Sequence, residues 1–201
     1  MTGTAPPEAT VMAAAACFAV HTLDRLTAAG LTAATPCAGW DLRMLLAHLD
    51  DSLAALHDGI AAGAVGRQAP ALELFAGDPG EQLLASVRRR AGELLVACRS
   101  EPAASGRVHV ERLPMPMAML AAVGAVELAV HGWDVACARG QAEPIPDGLA
   151  ERLLPVLPSV VTDVTRGGLF AAPVPVPPGA PPGDRLVAAL GRPPRWGIEN
   201  D

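Results

Sequence analysis

Three side chains in two short motifs hold the chemistry that this sequence offers. Glu127 and His131 stand four residues apart in Glu127-Leu128-Ala129-Val130-His131-Gly132-Trp133-Asp134, so on a helix they share one face a single turn apart. With Glu127 at zero, about 100° per residue puts His131 at about 40° and Asp134 at about −20°. That is one polar stripe on a helix otherwise built of Ala, Val, Leu and Gly. A carboxylate and an imidazole turned towards an apolar interior are costly to bury unless something pairs with them. A divalent metal ion is such a partner, because carboxylate oxygen and imidazole nitrogen both ligate zinc and nickel-like ions. His48, preceded by Thr35-Pro36-Cys37-Ala38-Gly39-Trp40-Asp41, is the third candidate ligand. Two His and one carboxylate leave a coordination position open, as catalytic rather than structural sites do. Asp134 reads either as the acceptor that orients a metal-bound imidazole or as a carboxylate bonded to Trp133 or a backbone group.

The small residues Ala121 and Gly124 on the same side would leave room for a ligand or an ion. His21, His57 and His109 lack such company and read as surface or loop residues. The four cysteines (Cys17, Cys37, Cys98 and Cys137) are far apart with no C-x-x-C pair. They read as reduced thiols of a cytoplasmic protein. Cys37 follows a proline just before a helix, where the dipole favours a thiolate; a small apolar contact is the plainer reading. The sequence contains no G-x-S-x-G, no phosphate loop and no G-x-G-x-x-G between a strand and a helix. All 15 basic residues are Arg, and Tyr is absent, which removes Schiff-base lysines and phenolic acids or bases. The net charge of −6 argues against nucleic acid as a partner. Arg88-Arg89-Arg90 fans around a helix and reads as a solvated face. The apolar stretch from Val11 to Val20 is too short to span a membrane, so no membrane partner is expected.

The elements that must position these residues are helices. Aromatics make up only 3% of the chain, so the core has to be Ala, Leu and Val, which suits close-packed helices. A first helix is expected over 8–29, bounded by Pro6-Pro7 and Gly30. Asp41 reads as the N-cap of a second, running to about Gly59 with Leu42, Leu45, Leu46, Leu49, Leu53 and Leu56 as its apolar stripe. A loop over 60–80, a third helix from Glu81 to Arg99 and an irregular stretch from Glu101 to Pro116 follow, the last with an extended piece at Val108–Leu113. A fourth helix runs from Met117 to Arg139 and stops at Gly140. Beyond it lie a helix over Asp147–Thr165 interrupted by Pro155 and Pro158, a proline-rich run from Pro173 to Pro182, and a short helix from Asp184 to Gly191. The expected organisation is an all-α four-helix bundle over 1–140 with a proline-rich C-terminal extension over 141–201 strapped onto it.

The pattern T-P-C-x-x-W-D-x-R-x-L-x-x-H from Thr35 to His48, followed by V-E-x-x-x-H-G-W-D-x-A from Val126 to Ala136, resembles the DinB-like superfamily. More closely, it is similar to the mycothiol-dependent maleylpyruvate isomerase branch. The C-terminal pattern ending in Gly191-Arg192-Pro193-Pro194-Arg195-Trp196 resembles the short single-domain members of that branch. The resemblance implies a DinB-like bundle with a divalent metal, commonly zinc, held by His48, Glu127 and His131. It also implies a low-molecular-weight thiol such as mycothiol as cosubstrate, activated for attack on a small electrophile. A metal-bound thiol is deprotonated at neutral pH, which agrees with that role. The family commonly reads A-T-G where this chain has Ala138-Arg139-Gly140, and the isomerase proper carries a further domain that this chain is expected to lack. Arg43 and Arg139, close to the motif helices, are the candidates to bind an anionic substrate group. Two other functions stay open: a thiol-independent Lewis-acid lyase, isomerase or cyclase, and a non-catalytic metal- or ligand-binding bundle. Bundles of this kind often pair into homodimers.

Overall fold

A computed structural model describes residues 7–66, 78–100, 106–141, 143–166 and 170–197. Helices α1 (Pro7–Leu23), α2 (Leu42–Ala62), α3 (Pro79–Ser100) and α4 (Met117–Ala138) form a four-helix bundle, as the sequence leads one to expect. α4 packs against α1 and α2, and α3 closes the bundle against the same two helices. The apolar stripe of α2 is entirely buried, from Leu42 to Leu56. Each such leucine contributes about 1.5–3 kcal/mol of burial. α4 is long and apolar enough to cross a membrane by length and composition. Its residues from Leu128 to Ala136 are all buried within the protein, which makes it the central helix of the bundle.

Two glycines of α4 let its neighbours approach. A Cβ at Gly124 would lie 2.5 Å from Leu56 Cδ2, and one at Gly132 would lie 3.2 Å from Phe18 Cδ1 and 3.3 Å from Ala19 Cα. The gap expected beside Gly124 is therefore filled by a leucine of α2 rather than left for a ligand.

Other differences have local causes. α1 stops at Leu23 and gives way to a 3₁₀ turn at Ala28–Gly30. Arg88 of α3 reaches the carbonyls that this ending frees, donating to Leu23 O at 3.0 Å and Leu26 O at 2.6 Å. Arg90 lies 3.2 Å from the buried Asp50 of α2. Only Arg89, paired with Glu93 at 2.9 Å, sits on the solvated face expected of all three.

A small sheet of order β1-β2-β3 adds to the helices: β1 (Ala64–Val65), β2 (Arg107–Val110) and β3 (Leu113–Pro116). β1 runs parallel to β2, and β2 and β3 form a hairpin closed by Val110↔Leu113. Its two turn residues, Glu111 (φ 49°) and Arg112 (φ 78°), both adopt left-handed backbone, as a two-residue hairpin turn of this hand requires. Of the loop expected over 60–80, residues 67–77 lie outside the described residues, as do 101–105 of the irregular stretch.

After α4 the chain forms α5 (Asp147–Leu153), a 3₁₀ turn (Leu154–Val156), α6 (Leu157–Val160), α7 (Asp163–Arg166) and α8 (Pro182–Ala189). The helical run over 147–165 is interrupted around Pro155 and Pro158, as expected, because proline lacks the N–H that a helix interior needs. Leu186, Val187 and Leu190 join the same buried cluster as the bundle leucines. Before α8 the strap is tied down by Val174 N–H to Ala188 O at 2.9 Å and by Arg166 to Ala171 O at 2.9 Å. α8 ends in a Schellman motif: Gly191 N–H donates to Ala188 O and Arg192 N–H to Val187 O, both at 3.0 Å. Gly191 has φ 82°, and a Cβ there would lie 2.6 Å from Ala171 Cβ, so the turn requires glycine.

Candidate metal centre

The loop before α2 is built by its own polar groups. The Thr35 hydroxyl donates to Trp40 O at 2.9 Å and accepts from Cys37 N–H at 3.2 Å. Asp41 caps α2 by accepting from Met44 N–H at 2.8 Å. The N–H groups of Leu42 and Arg43 reach back to Ala33 O and Leu31 O. Cys37 and Trp40 are thereby held beside the first turns of α2. The Trp40 ring meets the His48 ring edge-on at 5.1 Å, and His48 meets His131 at the same separation.

Glu127 lies between the two histidines. Its Oε1 is 2.6 Å from His48 Nε2 and 3.4 Å from His131 Nε2, and it accepts from the Ser52 hydroxyl at 3.1 Å. Each of His48, Glu127 and His131 offers one ligand atom, and these atoms lie within 4.8 Å of one another. They face a cleft of about 550 Å³ whose walls include Cys37, Trp40, Phe170 and Arg192. A cleft of this volume suits a small molecule. Burial alone would raise the Glu127 carboxyl, but hydrogen bonds with His131 and His48 outweigh it and hold the group well below the usual carboxylate range.

Behind His131 lies a buried carboxylate. Asp134 is fully buried, with Oδ2 2.9 Å from His131 Nδ1. Arg192 grips it with two prongs, Nε to Oδ1 and Nη2 to Oδ2, both at 2.9 Å. The Cys37 thiol donates to the same Oδ2 at 3.3 Å, and Arg192 Nη2 lies 3.0 Å from the sulfur. Burial pushes Asp134 upward, but His131 and the Arg192 guanidinium outweigh it and lower the carboxyl. Burial likewise disfavours the charged His131, yet its bonds to Asp134, Cys37 and Glu127 raise it well above the ordinary value. An ionised Asp134 can only accept, so the proton between it and His131 sits on Nδ1. That leaves Nε2, directed at Glu127, as the nitrogen able to ligate an ion when the ring is neutral. A second set able to ligate, Cys37 with His131 and Asp134, is already occupied by Arg192.

The structure thus brings together His48, Glu127, His131 and Asp134. It places Arg139 elsewhere, donating to Thr22 O at 2.8 Å in a depression shared with His21, Asp24 and Arg25. Arg43 is exposed on α2 and is not among the residues lining the cleft. Cys37 packs against the hydrophobic core, as expected in its loop, and its thiol also makes polar contacts with Asp134 and Arg192. Sequence reasoning missed Arg192 and Ser52 as contributors. The Ala189-Leu190-Gly191-Arg192 run signals a helix stop and fixes where residue 192 begins, but nothing local names its partner.

Fold and residue set together define a class: a DinB-like bundle with a candidate His/Glu/His centre between its second and fourth helices. The family model for the mycothiol maleylpyruvate isomerase N-terminal domain matches residues 12–136, and the chain belongs to that family. Two solved structures share the fold. One is the mycothiol-dependent maleylpyruvate isomerase, at 19% identity and a TM-score of 0.50, covering 73% of this chain and 66% of that one. The other, a histidine-to-alanine mutant of a mycothiol-dependent maleylpyruvate isomerase, gives 18% identity and a TM-score of 0.55, with 80% and 71% covered. This chain therefore spans just under two thirds of the first structure. A sequence comparison with curated proteins found no match.

Proposed function

We propose that this protein is a metal-dependent enzyme that uses or transfers a low-molecular-weight thiol, such as mycothiol, on a small electrophilic substrate. The observation that carries this reading is the clustering of His48, Glu127 and His131 in the lining of an open cleft, their ligand atoms within 4.8 Å of one another. The donors fit a divalent ion: two imidazole nitrogens and a carboxylate oxygen suit zinc first, and nickel or a related ion second. Family membership supports the thiol, since the solved relatives are described as mycothiol-dependent.

His48, Glu127 and His131 would hold the ion. When bound, it supplies Lewis-acid chemistry that keeps a coordinated thiol as thiolate at neutral pH. The chain's own residues prepare the place. Asp134 keeps the proton of His131 on Nδ1, and Ser52 fixes the Glu127 oxygen that faces both rings. Trp40 and Phe170 supply apolar walls that limit water around the nucleophile. The free thiols of Cys17, Cys37, Cys98 and Cys137 suit a reducing cytoplasm.

The test is metal content by mass spectrometry on tag-free protein, beside His48→Ala and His131→Ala. The expected result is close to one ion per chain, lost in both variants, with turnover of a panel of electrophiles that requires both ion and mycothiol. No ion after reloading would overturn the metal. Full turnover without any thiol would overturn the thiol and leave a Lewis-acid reaction.

A further inference from the structure

We infer that Arg192 is the positioning residue of this centre: it fixes Asp134, which fixes the His131 imidazole, and it ties in the loop that carries Cys37. The inference rests on the proposed metal reading for its consequence, but its geometry stands without an ion. All three candidate ligands come from the bundle, within residues 12–136 that the family model matches. Arg192 comes from outside that span, delivered by the end of α8.

Its aim is set by the backbone. The Schellman motif fixes the N–H of Arg192 on Val187 O, and Gly191 makes the turn against Ala171 that no other residue would fit. The side chain then enters the core, 10% exposed. Every nitrogen of the guanidinium has a partner in the protein: Nε and Nη2 on Asp134, Nη2 also on the Cys37 sulfur, and Nη1 on Leu190 O at 3.2 Å. A guanidinium so committed is a clamp rather than a receptor for a substrate anion. Asp134 in turn has no solvent exposure, so without Arg192 its charge would be left buried with one imidazole and one thiol. One side chain thus joins α4, the loop before α2 and the strap. Two prongs on a carboxylate also fix its plane, and with it the direction of the His131 ring.

The experiment compares the full-length wild type with Arg192→Met and Arg192→Lys by two readouts. The first is zinc affinity by competition with a chromophoric chelator. The second is the hydrogen-bonded Nδ1–H proton resonance of His131 in metal-free protein, assigned with His131→Ala, with melting curves to establish folding. Arg192→Met is expected to weaken zinc by about 10–100-fold and to lose or shift the Nδ1–H resonance. Arg192→Lys keeps the charge but not the two-pronged geometry, and is expected to fall between. A folded Arg192→Met with unchanged zinc affinity and unchanged resonance overturns the inference. Should that variant fail to fold, Arg192→Lys decides by the same criterion. If the wild type takes up no zinc, the proposed function fails, while the resonance still decides whether Arg192 fixes His131.

Discussion

Glu127 and Asp134 are two carboxylates on one helix, each bonded to the same imidazole from opposite ends, and both are held ionised. They differ in what else they meet. Glu127 is 28% exposed at the cleft, and its partners are ring nitrogens that can turn to an ion instead. Asp134 has no exposure, and its partner is a guanidinium that never gives up its proton. The pair shows how one histidine is made immobile at Nδ1 and available at Nε2. Surroundings rather than residue type separate the carboxylate that is free to meet an ion from the one that supports the imidazole.

The largest effect expected from breaking this contrast is on the open side. Glu127→Ala should abolish stoichiometric metal binding, a greater loss than the 10–100-fold typical of an outer partner, while the protein stays folded. Metal analysis with a melting curve would read both. On the buried side the weights reverse. Asp134→Ala leaves Arg192 buried and unpaired and should cost about 3–5 kcal/mol of stability in chemical denaturation. Asp134→Asn, which can still accept from His131, should cost less.

Intermediate in size is the pH dependence of the metal-free protein. His131 is raised above its ordinary 6.5, so its contribution to stability is full below about 6.5 and is lost as pH rises through the folded value. Asp134 and Glu127 are lowered from 3.8 and 4.5, so theirs is present above those values and is lost as pH falls through the depressed ones. Melting temperature of the metal-free wild type should therefore fall on both sides of a window between about 4.5 and 6.5, and His131→Gln should flatten the alkaline side. Zinc must displace the His131 proton, so its affinity should rise by up to about tenfold per pH unit above 6.5 until that proton is gone. Gly191→Ala forces a left-handed alanine against Ala171 and should destabilise by about 1–2 kcal/mol or more. The smallest effect falls outside both regions. Arg139→Ala removes a bond to Thr22 O and should cost about 1 kcal/mol with metal content unchanged.

Much of the bundle was legible because helices advertise themselves locally. The leucines of α2 repeat at helical spacing, and Glu127, His131 and Asp134 fall on one stripe of α4, as the structure places them. Where partners lie far apart in sequence, no period helps. Arg192 is 58 residues from Asp134, and Cys37 is 97 residues from it. The arginine run misled for the same reason: neighbouring helices claim Arg88 and Arg90, and a single-helix projection shows only Arg89 correctly. The extended piece expected at Val108–Leu113 is found as β2 and the start of β3. The pairing into a sheet was not legible, because the two-residue β1 has no alternation to detect and the hairpin turn at Glu111-Arg112 lacks the usual Asn or Gly.

The Schellman turn that delivers Arg192 has a bearing on how the protein is made. His131 leaves the ribosome 61 residues ahead of Arg192, an interval of roughly 3–12 s at about 5–20 residues per second. During that time the nascent chain already holds all three candidate ligands, while the side chain that steadies one of them has yet to be synthesised. An ion captured early would meet a looser cage than one captured after release. Removal of the strap would return the mature protein to that earlier condition, with every candidate ligand still in the chain.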